Sequence, residues 1–321
     1  MRKLNKVSHF RKYRQNRLRF QRVKATVYKI LFIFILATIL ITHYILNKFE
    51  NEIYFGKCYL PPGGSSFKIM HLIITRFIIE FWRYDNFVQK IYTNDYIING
   101  KRVMEKYLFP SLSNQRCQDF IWILKVGDKA NITYIKSIID LNNTFESVII
   151  YEKDIKDYIR NISKGYDILI TTRIDYDDKI YYDAVNDIRK AINFNRPALL
   201  YGYGCGLCYY ENDNKYYELN PTYNNNGVMS IFVSLILVLN KVNDAYNIFD
   251  LGSHTGVRAR LLRSYKSFGI DKLDYEPAIF DYGTAKFIWV RQNFSGQFGY
   301  SESIKKSLVE YKFDLKKFYG K

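Results

Sequence analysis

Between residues 69 and 175, short apolar runs alternate with helix-like segments, and this alternation constrains the fold more than any other feature of the 321-residue chain. Strands that alternate with helices in this way form a largely parallel sheet with helices packed on its faces. In such sheets, ligands bind at the carboxyl ends of the strands. The apolar runs span 69–75, 120–126, 147–151 and 167–175, and helices are expected over 102–112, 132–141 and 154–162.

A different pattern follows residue 195. The stretch 198–219 is typical of a β-hairpin, and residues 285–292 are typical of a further strand. The apolar segment 227–239 is too short to cross a bilayer, so we expect it in the core. We expect an amphipathic helix over residues 301–319.

The carboxylates of Asp175, Asp177 and Asp178 follow the fourth apolar run directly. Aspartates at positions i and i+2 of an extended segment project to the same side, and Mg²⁺ or Mn²⁺ prefers such oxygen ligands. The pattern indicates a divalent cation that a substrate diphosphate also ligates, with Arg173 or Lys179 adding positive charge. In the structural alternative, the carboxylates cap a helix that starts near Lys179 or form a solvated turn.

Three blocks carry a family resemblance: residues 71–81 (HLIITRFIIEF), 105–127 (EKYLFPSLSNQRCQDFIWILKVG) and 167–185 (DILITTRIDYDDKIYYDAV). In this order they resemble the rhamnosyltransferase family of glycosyltransferases. The resemblance implies a glycosyltransferase-A fold and a nucleotide-sugar donor. It also implies that Asp175 and Asp177 bind the metal and the diphosphate, that Asp178 lies beside them, and that Thr75 and Arg76 hold the nucleotide.

A transferase of this kind needs a further metal or phosphate contact from the C-terminal half of the chain. His254 is the best candidate for this contact. An inverting enzyme also needs a group that takes the proton of the acceptor hydroxyl. Asp250, Glu276 and Asp281 are the candidates for this base, and the sequence does not rank them.

The positive charge of the chain is concentrated at its N-terminus. The formal net charge is +17, but residues 1–29 hold 11 Lys and Arg and no acidic residue, which leaves 37 basic and 31 acidic residues elsewhere. Residues 27–46 are apolar and long enough to span a bilayer as a helix. The basic flank favours a cytosolic N-terminus. We expect a basic tail (1–26), a transmembrane signal anchor (27–46), a stem (47–66) and a catalytic domain (67–321).

The cysteines Cys58, Cys117, Cys205 and Cys208 all follow the anchor, where an even number allows disulfides. No second CxxC motif or paired histidine completes a zinc site with Cys205 and Cys208. We therefore expect these two to form a local disulfide or to be ordinary buried thiols. Four Asn-X-Ser/Thr triplets, which begin at Asn131, Asn142, Asn161 and Asn293, are glycosylation acceptors if the domain is lumenal.

The sequence as a whole predicts a single-pass type II membrane glycosyltransferase with a catalytic domain in the secretory lumen (Golgi or ER) or outside the cell. It would use Mn²⁺ or Mg²⁺ and transfer a sugar from a nucleotide sugar to a glycan or glycoconjugate acceptor. The basic excess away from the tail is too small to indicate specific nucleic-acid binding. The alternative is a non-catalytic, membrane-tethered binding protein derived from the same fold. An aspartate-nucleophile phosphatase is disfavoured, because Lys179 stands where such enzymes have Thr or Val.

Overall fold

The computed structural model describes residues 38, 58–61, 67–79, 91–140, 144–219, 232–252, 257–272, 274–281, 285–291, 310 and 318. Apart from Thr38, these belong to a compact unit that spans Gly56–Lys321. Within this part of the chain, no helix is long and apolar enough to cross a membrane. The predicted tail, the predicted anchor except Thr38, most of the stem and nearly all of the helix expected over 301–319 lie outside the described residues.

A seven-stranded sheet forms the centre of this unit, in the order β10-β6-β9-β4-β1-β2-β3. All neighbouring strands are parallel except β9, which runs antiparallel to both β4 and β6. The prediction of a largely parallel α/β sheet is confirmed. The strands are β1 Ile69–Phe77, β2 Ile121–Val126, β3 Glu146–Tyr151, β4 Ile168–Asp175, β6 Ala198–Tyr203, β9 Val233–Val238 and β10 Ala278–Asp281.

Helices connect the parallel strands as the alternation predicts. Thr93 caps the first helix through its side chain, which accepts a hydrogen bond from the backbone of Tyr96. The helix then continues through a π-helical turn, Met104–Leu108. The α-helices are α1 Asn94–Val103, α2 Phe109–Ser113, α3 Ile132–Ile139, α4 Ile155–Ile162, α5 Ala184–Lys190 and α6 Val257–Ser264, and 3-10 turns span Leu239–Lys241, Ile248–Leu251 and Tyr265–Phe268.

A smaller sheet has the order β5-β11-β7-β8. Its strands β7 and β8 form a hairpin within the predicted stretch 198–219, although the first part of that stretch is β6 of the central sheet. β11 confirms the predicted strand over 285–292. The helix expected to start near Lys179 is wrong, because Lys179 and Ile180 pair with β11 and the helix begins at Ala184. The acidic residues before Lys179 therefore do not cap that helix. The strands are β5 Lys179–Ile180, β7 Gly206–Tyr210, β8 Lys215–Leu219 and β11 Phe287–Arg291.

The central sheet separates two apolar cores. Ile73, Trp122 and Ile174 belong to one core, whereas Ile74 and Ile123 belong to the other. Because side chains alternate between the faces of a strand, the residues that follow at even spacing from Ile74 and Ile123 share their face. The second core and the site described below therefore lie on one side of the sheet.

A disulfide joins Cys58, in the predicted stem, to Cys117, which lies between α2 and β2. Cys117 is buried. Cys205 and Cys208 are thiols, and Cys208 is buried. The expected local disulfide is wrong, and the expectation of a buried thiol is confirmed for Cys208 but not for Cys205, which is half-buried.

His71 lies inside the first core and belongs to a polar chain. Its Nε2 is 2.9 Å from Thr172 Oγ1, which is 2.7 Å from Ser234 Oγ. The side chain is buried. Burial, and to a smaller extent the charge of Arg189, holds the pKa of His71 well below its ordinary value. The folded protein therefore holds a neutral imidazole at a pH where the unfolded chain binds a proton.

This difference predicts a loss of stability in mild acid. As the pH falls below about 6.5, the free energy of unfolding should fall by about 1.4 kcal/mol per pH unit through His71, until the pH reaches its depressed folded pKa. His71→Gln should remove this contribution. Chemical unfolding of both proteins at pH 7.5, 6.5 and 5.5 checks the difference between them. Parallel pH profiles for the two proteins would contradict the assignment.

Candidate functional site

The carboxyl ends of β1, β2 and β4 bring charged side chains together at one edge of the sheet. Arg76 in β1 is the register partner of both Lys125 in β2 and Asp175 in β4. Arg173 lies two residues before Asp175 and therefore projects to the same face of the sheet. This is the edge at which ligands bind in parallel sheets.

Asp175 contacts two guanidinium groups. Its Oδ1 is 3.3 Å from Nη2 of Arg173 and 3.4 Å from Nη2 of Arg76. Arg173 is 2% exposed, whereas Arg76 is 20% and Asp175 is 16% exposed. Solvent therefore reaches this group through Arg76 and Asp175, while Arg173 lies behind them.

Lys125 and Phe249 complete the cluster. Lys125 Nζ donates to Glu152 Oε1 at 2.8 Å. The phenyl ring of Phe249 contacts three cationic side chains. Its centroid is 4.6 Å from Lys125, 5.3 Å from Arg173 and 5.4 Å from Arg76. Burial lowers the pKa of Lys125, and its bond to Glu152 partly offsets this effect.

The other acidic residues of the turn after β4 lie in different surroundings from Asp175. Asp177 and Asp178 are fully buried. Asp178 Oδ1 accepts a hydrogen bond from the backbone of Val290 at 3.2 Å, which links the turn to β11. Burial, with the charge of Asp177 as a further cause, holds the pKa of Tyr176 well above its ordinary value. Asp175 thus faces the cations, whereas Asp177 lies close to the ring of Tyr176.

The structure separates the candidates for the catalytic base. Asp281 ends β10 and lies at the same edge of the sheet as Asp175, three strand spacings or about 14 Å away. Its Oδ2 accepts from Lys286 at 2.7 Å. Glu276 precedes β10 and therefore lies at the opposite edge, where it pairs with exposed Arg258 at 2.9 Å. Glu276 therefore lies away from the cation cluster, and a role as base stays a prediction.

Asp250 lies closer to the cation cluster, in the 3-10 turn that carries Phe249. Its Oδ2 accepts from the backbone nitrogen of Asn247 at 2.8 Å and from its side-chain nitrogen at 3.0 Å. The same turn is tied to β4, because the backbone of Ile248 donates to Thr171 Oγ1 at 2.9 Å. Asp250 therefore has a local structural role as a capping residue, and a role as base stays a prediction.

Three other predicted residues have distinct placements. Thr75 is fully buried on the face of the first core, where its Oγ1 accepts from Trp122 Nε1 at 2.9 Å. Its side chain thus points away from the cation cluster. Lys179 lies 5.0 Å from the centre of the Tyr107 ring, and burial lowers its pKa to about 8. His254 lies outside the described residues.

The acidic turn has the donor chemistry of a divalent-cation site, although the described part of the chain contains no group of three or more His, Cys, Asp or Glu side chains placed to hold a metal ion. Carboxylate oxygens are the ligands that Mg²⁺ and Mn²⁺ prefer, and a cation that also binds substrate phosphate needs few protein ligands. Asp175 is the accessible acid of the turn. The residues present therefore fit a cation that is completed by substrate oxygens.

Sequence reasoning did not select Lys125, Glu152 or Phe249 for the site. Lys125 had a signal, because it is a charged residue inside the apolar run 120–126 at the same position relative to the strand end as Arg76. Glu152 follows the next apolar run directly. No sequence pattern pointed to Phe249. It contacts the cations because the turn that carries it packs against the end of β4, and it is 74 positions from Asp175 in sequence.

Comparison with known proteins identifies the class of the enzyme. Residues 73–227 match the family model described as "Putative rhamnosyl transferase". The chain is therefore a glycosyltransferase by class. The matched segment contains β2, β4 and the acidic turn, and the resemblance carried by the three sequence blocks is confirmed. No curated protein sequence matches the chain.

Solved structures with a similar arrangement have low identity to the chain. HddC from Yersinia pseudotuberculosis is 16% identical with a TM-score of 0.36, and the match covers 68% of this chain and 92% of HddC. The inositol-1-phosphate CTP transferase from T. maritima is 12% identical with a TM-score of 0.35, over 70% and 90%. TarS 1-349 from S. aureus is 11% identical with a TM-score of 0.36, over 69% and 60%. These TM-scores are too low to support a function, so the assignment to the glycosyltransferases depends on the family match alone.

Proposed function

We propose that this protein transfers a sugar from a nucleotide-sugar donor to a glycan or glycoconjugate acceptor at the carboxyl edge of the central sheet. The observation that carries the proposal is the meeting of Arg76, Arg173 and Asp175 at the ends of adjacent parallel strands, inside the segment that matches the family. A sugar diphosphate brings negative charge that grows on the leaving group as the glycosidic bond breaks. Guanidinium groups stabilise such charge by paired, charge-assisted hydrogen bonds.

The residues of the site would bind the diphosphate, hold a metal ion and accept a proton. Arg76 and Arg173 orient the diphosphate, and Asp175 with Asp177 would hold Mg²⁺ or Mn²⁺. When bound, the cation would supply Lewis-acid neutralisation of the departing nucleoside diphosphate. The hydroxyl proton would go to Asp250 or Asp281. Asp250 lies in the turn that carries Phe249, whereas Asp281 is at odd spacing from Ala278 of the second core and therefore faces the other side of the sheet, next to Lys286.

The compartment is a further part of the proposal. A disulfide between Cys58 and Cys117 is typical of proteins in oxidising compartments. This supports a domain on the lumenal or extracellular side of a membrane, with residues 27–46 as a type II anchor and the basic tail in the cytosol. Acceptors would then be glycans or glycoconjugates of the secretory pathway or the cell surface.

The proposal is tested on the full-length chain in detergent. A panel of nucleotide sugars is incubated with Mn²⁺, with Mg²⁺ or with EDTA, and release of the nucleoside diphosphate is measured. We expect one donor to be hydrolysed above the rate of heat-denatured protein, and EDTA to lower that rate by at least about tenfold, since a metal Lewis acid contributes several kcal/mol. Absence of hydrolysis for every donor would favour the non-catalytic binding protein. If EDTA leaves the rate of hydrolysis unchanged, the proposal of a transferase stands and the proposed role of a metal ion is contradicted.

A further inference from the structure

We propose that Lys125 is a phosphate-binding residue of the donor site, where it acts with Arg76 and Arg173 on the diphosphate of the nucleotide sugar. The inference rests on the proposed function, because it names a further side chain for the same donor. It starts from the position of Lys125. The residue lies one position before the end of β2, beside Arg76, and the three cations surround one phenyl ring at distances of 4.6 to 5.4 Å.

The burial of Lys125 is the first argument. Its side chain is 6% exposed, yet its counter-ion Glu152 is 46% exposed. A buried ammonium group is costly unless it is paired and hydrogen-bonded. A lysine with only a structural role could reach solvent by extending its flexible side chain. Here the amine is instead held between Glu152, at 2.8 Å, and the ring of Phe249, which both arginines also contact. A polyanion held at this ring would lie within reach of all three cations.

Unused hydrogen-bond donors are the second argument. Arg173 is 2% exposed, and its Nε and Nη1 have no hydrogen-bond partner among the residues that the structure describes. Its Nη2 contacts Asp175 at 3.3 Å, which is longer than a typical charge-assisted bond of about 2.7–2.9 Å. A buried donor without a partner destabilises the folded protein, because it has lost its hydrogen bonds to water. A phosphate group offers several oxygens to such a guanidinium and to the adjacent amine of Lys125.

Phe249 is the third argument. A phenyl ring offers cations only the weak attraction of its π electrons, so an anion with full negative charge would displace it from the cations. The ring belongs to the 3-10 turn Ile248–Leu251, which is followed by Gly252 in a left-handed conformation at φ 76°. Asp250 in the same turn interacts electrostatically with Lys125, but its Oδ2 is engaged by Asn247. The ring thus marks the place where the phosphate binds.

The test uses inorganic pyrophosphate as the probe and the full-length chain in detergent, with EDTA present and the ionic strength fixed. Calorimetric titration measures the dissociation constant. We expect wild type to bind pyrophosphate, Lys125→Met to weaken binding by at least about tenfold, and Lys125→Arg to retain it within about threefold. Lys153→Met is the matched control, because Lys153 is an exposed lysine next to Glu152, and it should leave the constant unchanged.

A second variant covers the case in which Lys125→Met does not fold. Glu152→Gln removes the competing carboxylate and should tighten pyrophosphate binding at least about twofold, because the amine is then available to the phosphate. Equal binding by wild type and Lys125→Met overturns the inference, as does weaker binding by Glu152→Gln. Lysine-dependent pyrophosphate binding without turnover of any nucleotide sugar would instead refute the proposed function alone.

Discussion

Replacing Asp175 and Asp177 together by asparagine is expected to lower the rate of donor hydrolysis about 10³-fold, because the change removes the charge that would hold a cation against the departing diphosphate. Asparagine keeps the shape of both side chains. The change also leaves Arg76 and Arg173 without the carboxylate that they contact at 3.3–3.4 Å. Initial rates at saturating donor and metal measure the effect, and circular dichroism verifies that the variant folds.

The rates of the two single variants show how much each aspartate contributes to the loss of activity. Asp175→Asn acts on the accessible carboxylate next to the arginines, and Asp177→Asn acts on the fully buried one. Asp271→Asn, on the exposed surface, is the control and should leave the rate unchanged. A double variant that keeps its rate within about tenfold of wild type would show that neither carboxylate takes part in the transition state.

Trp122→Ala is expected to lower the free energy of unfolding by about 4 kcal/mol, since it removes one of the largest fully buried side chains. The indole packs edge-to-face against Phe109, with centroids 5.4 Å apart, and against Phe145 at 6.1 Å. Its Nε1 donates to Thr75 Oγ1 at 2.9 Å. Alanine would leave a cavity and a buried hydroxyl without its partner.

Trp122→Phe separates the two losses. It retains much of the ring packing and removes the hydrogen bond to Thr75, so we expect a loss of about 1–2 kcal/mol. Tyr134→Ala, at an aromatic side chain that is 51% exposed, is the control and should change stability by less than about 0.5 kcal/mol. Denaturant unfolding followed by far-ultraviolet circular dichroism gives each value. A Trp122→Ala effect no larger than that of Tyr134→Ala would contradict the packing described here.

Four strands of the central sheet, β1 to β4, were predictable because their residues form short continuous apolar runs. The sequence did not assign β6 and β9 to this sheet and did not predict β10. Lys179 and Ile180 show where local sequence fails. They continue a helix-like stretch, but pairing with Phe287 and Ile288 makes them a strand. Such pairing joins residues more than a hundred positions apart, and helical propensity is too weak to resist it.

The site was predictable where its residues follow apolar strands. Arg173 and Asp175 were found in this way, Arg76 was found through the family resemblance, and the structure brings the three together. The sequence did not separate Glu276 from the other candidates for the base, because a loop position does not reveal at which end of a strand it lies. The pairing of β10 with β6 decides this point, since it fixes the direction of β10 and places Glu276 at the amino edge.

The bond between Cys58 and Cys117 changes what proteolysis can achieve. A protease that cuts the backbone between Cys58 and the start of β1 would sever the chain without parting the pieces, since the sulfur link bridges the nick. If residues 27–46 anchor the chain as proposed, release of the catalytic domain from the membrane by such a cut would require a reductant as well as a protease. A cut on the N-terminal side of Cys58 would release the domain directly.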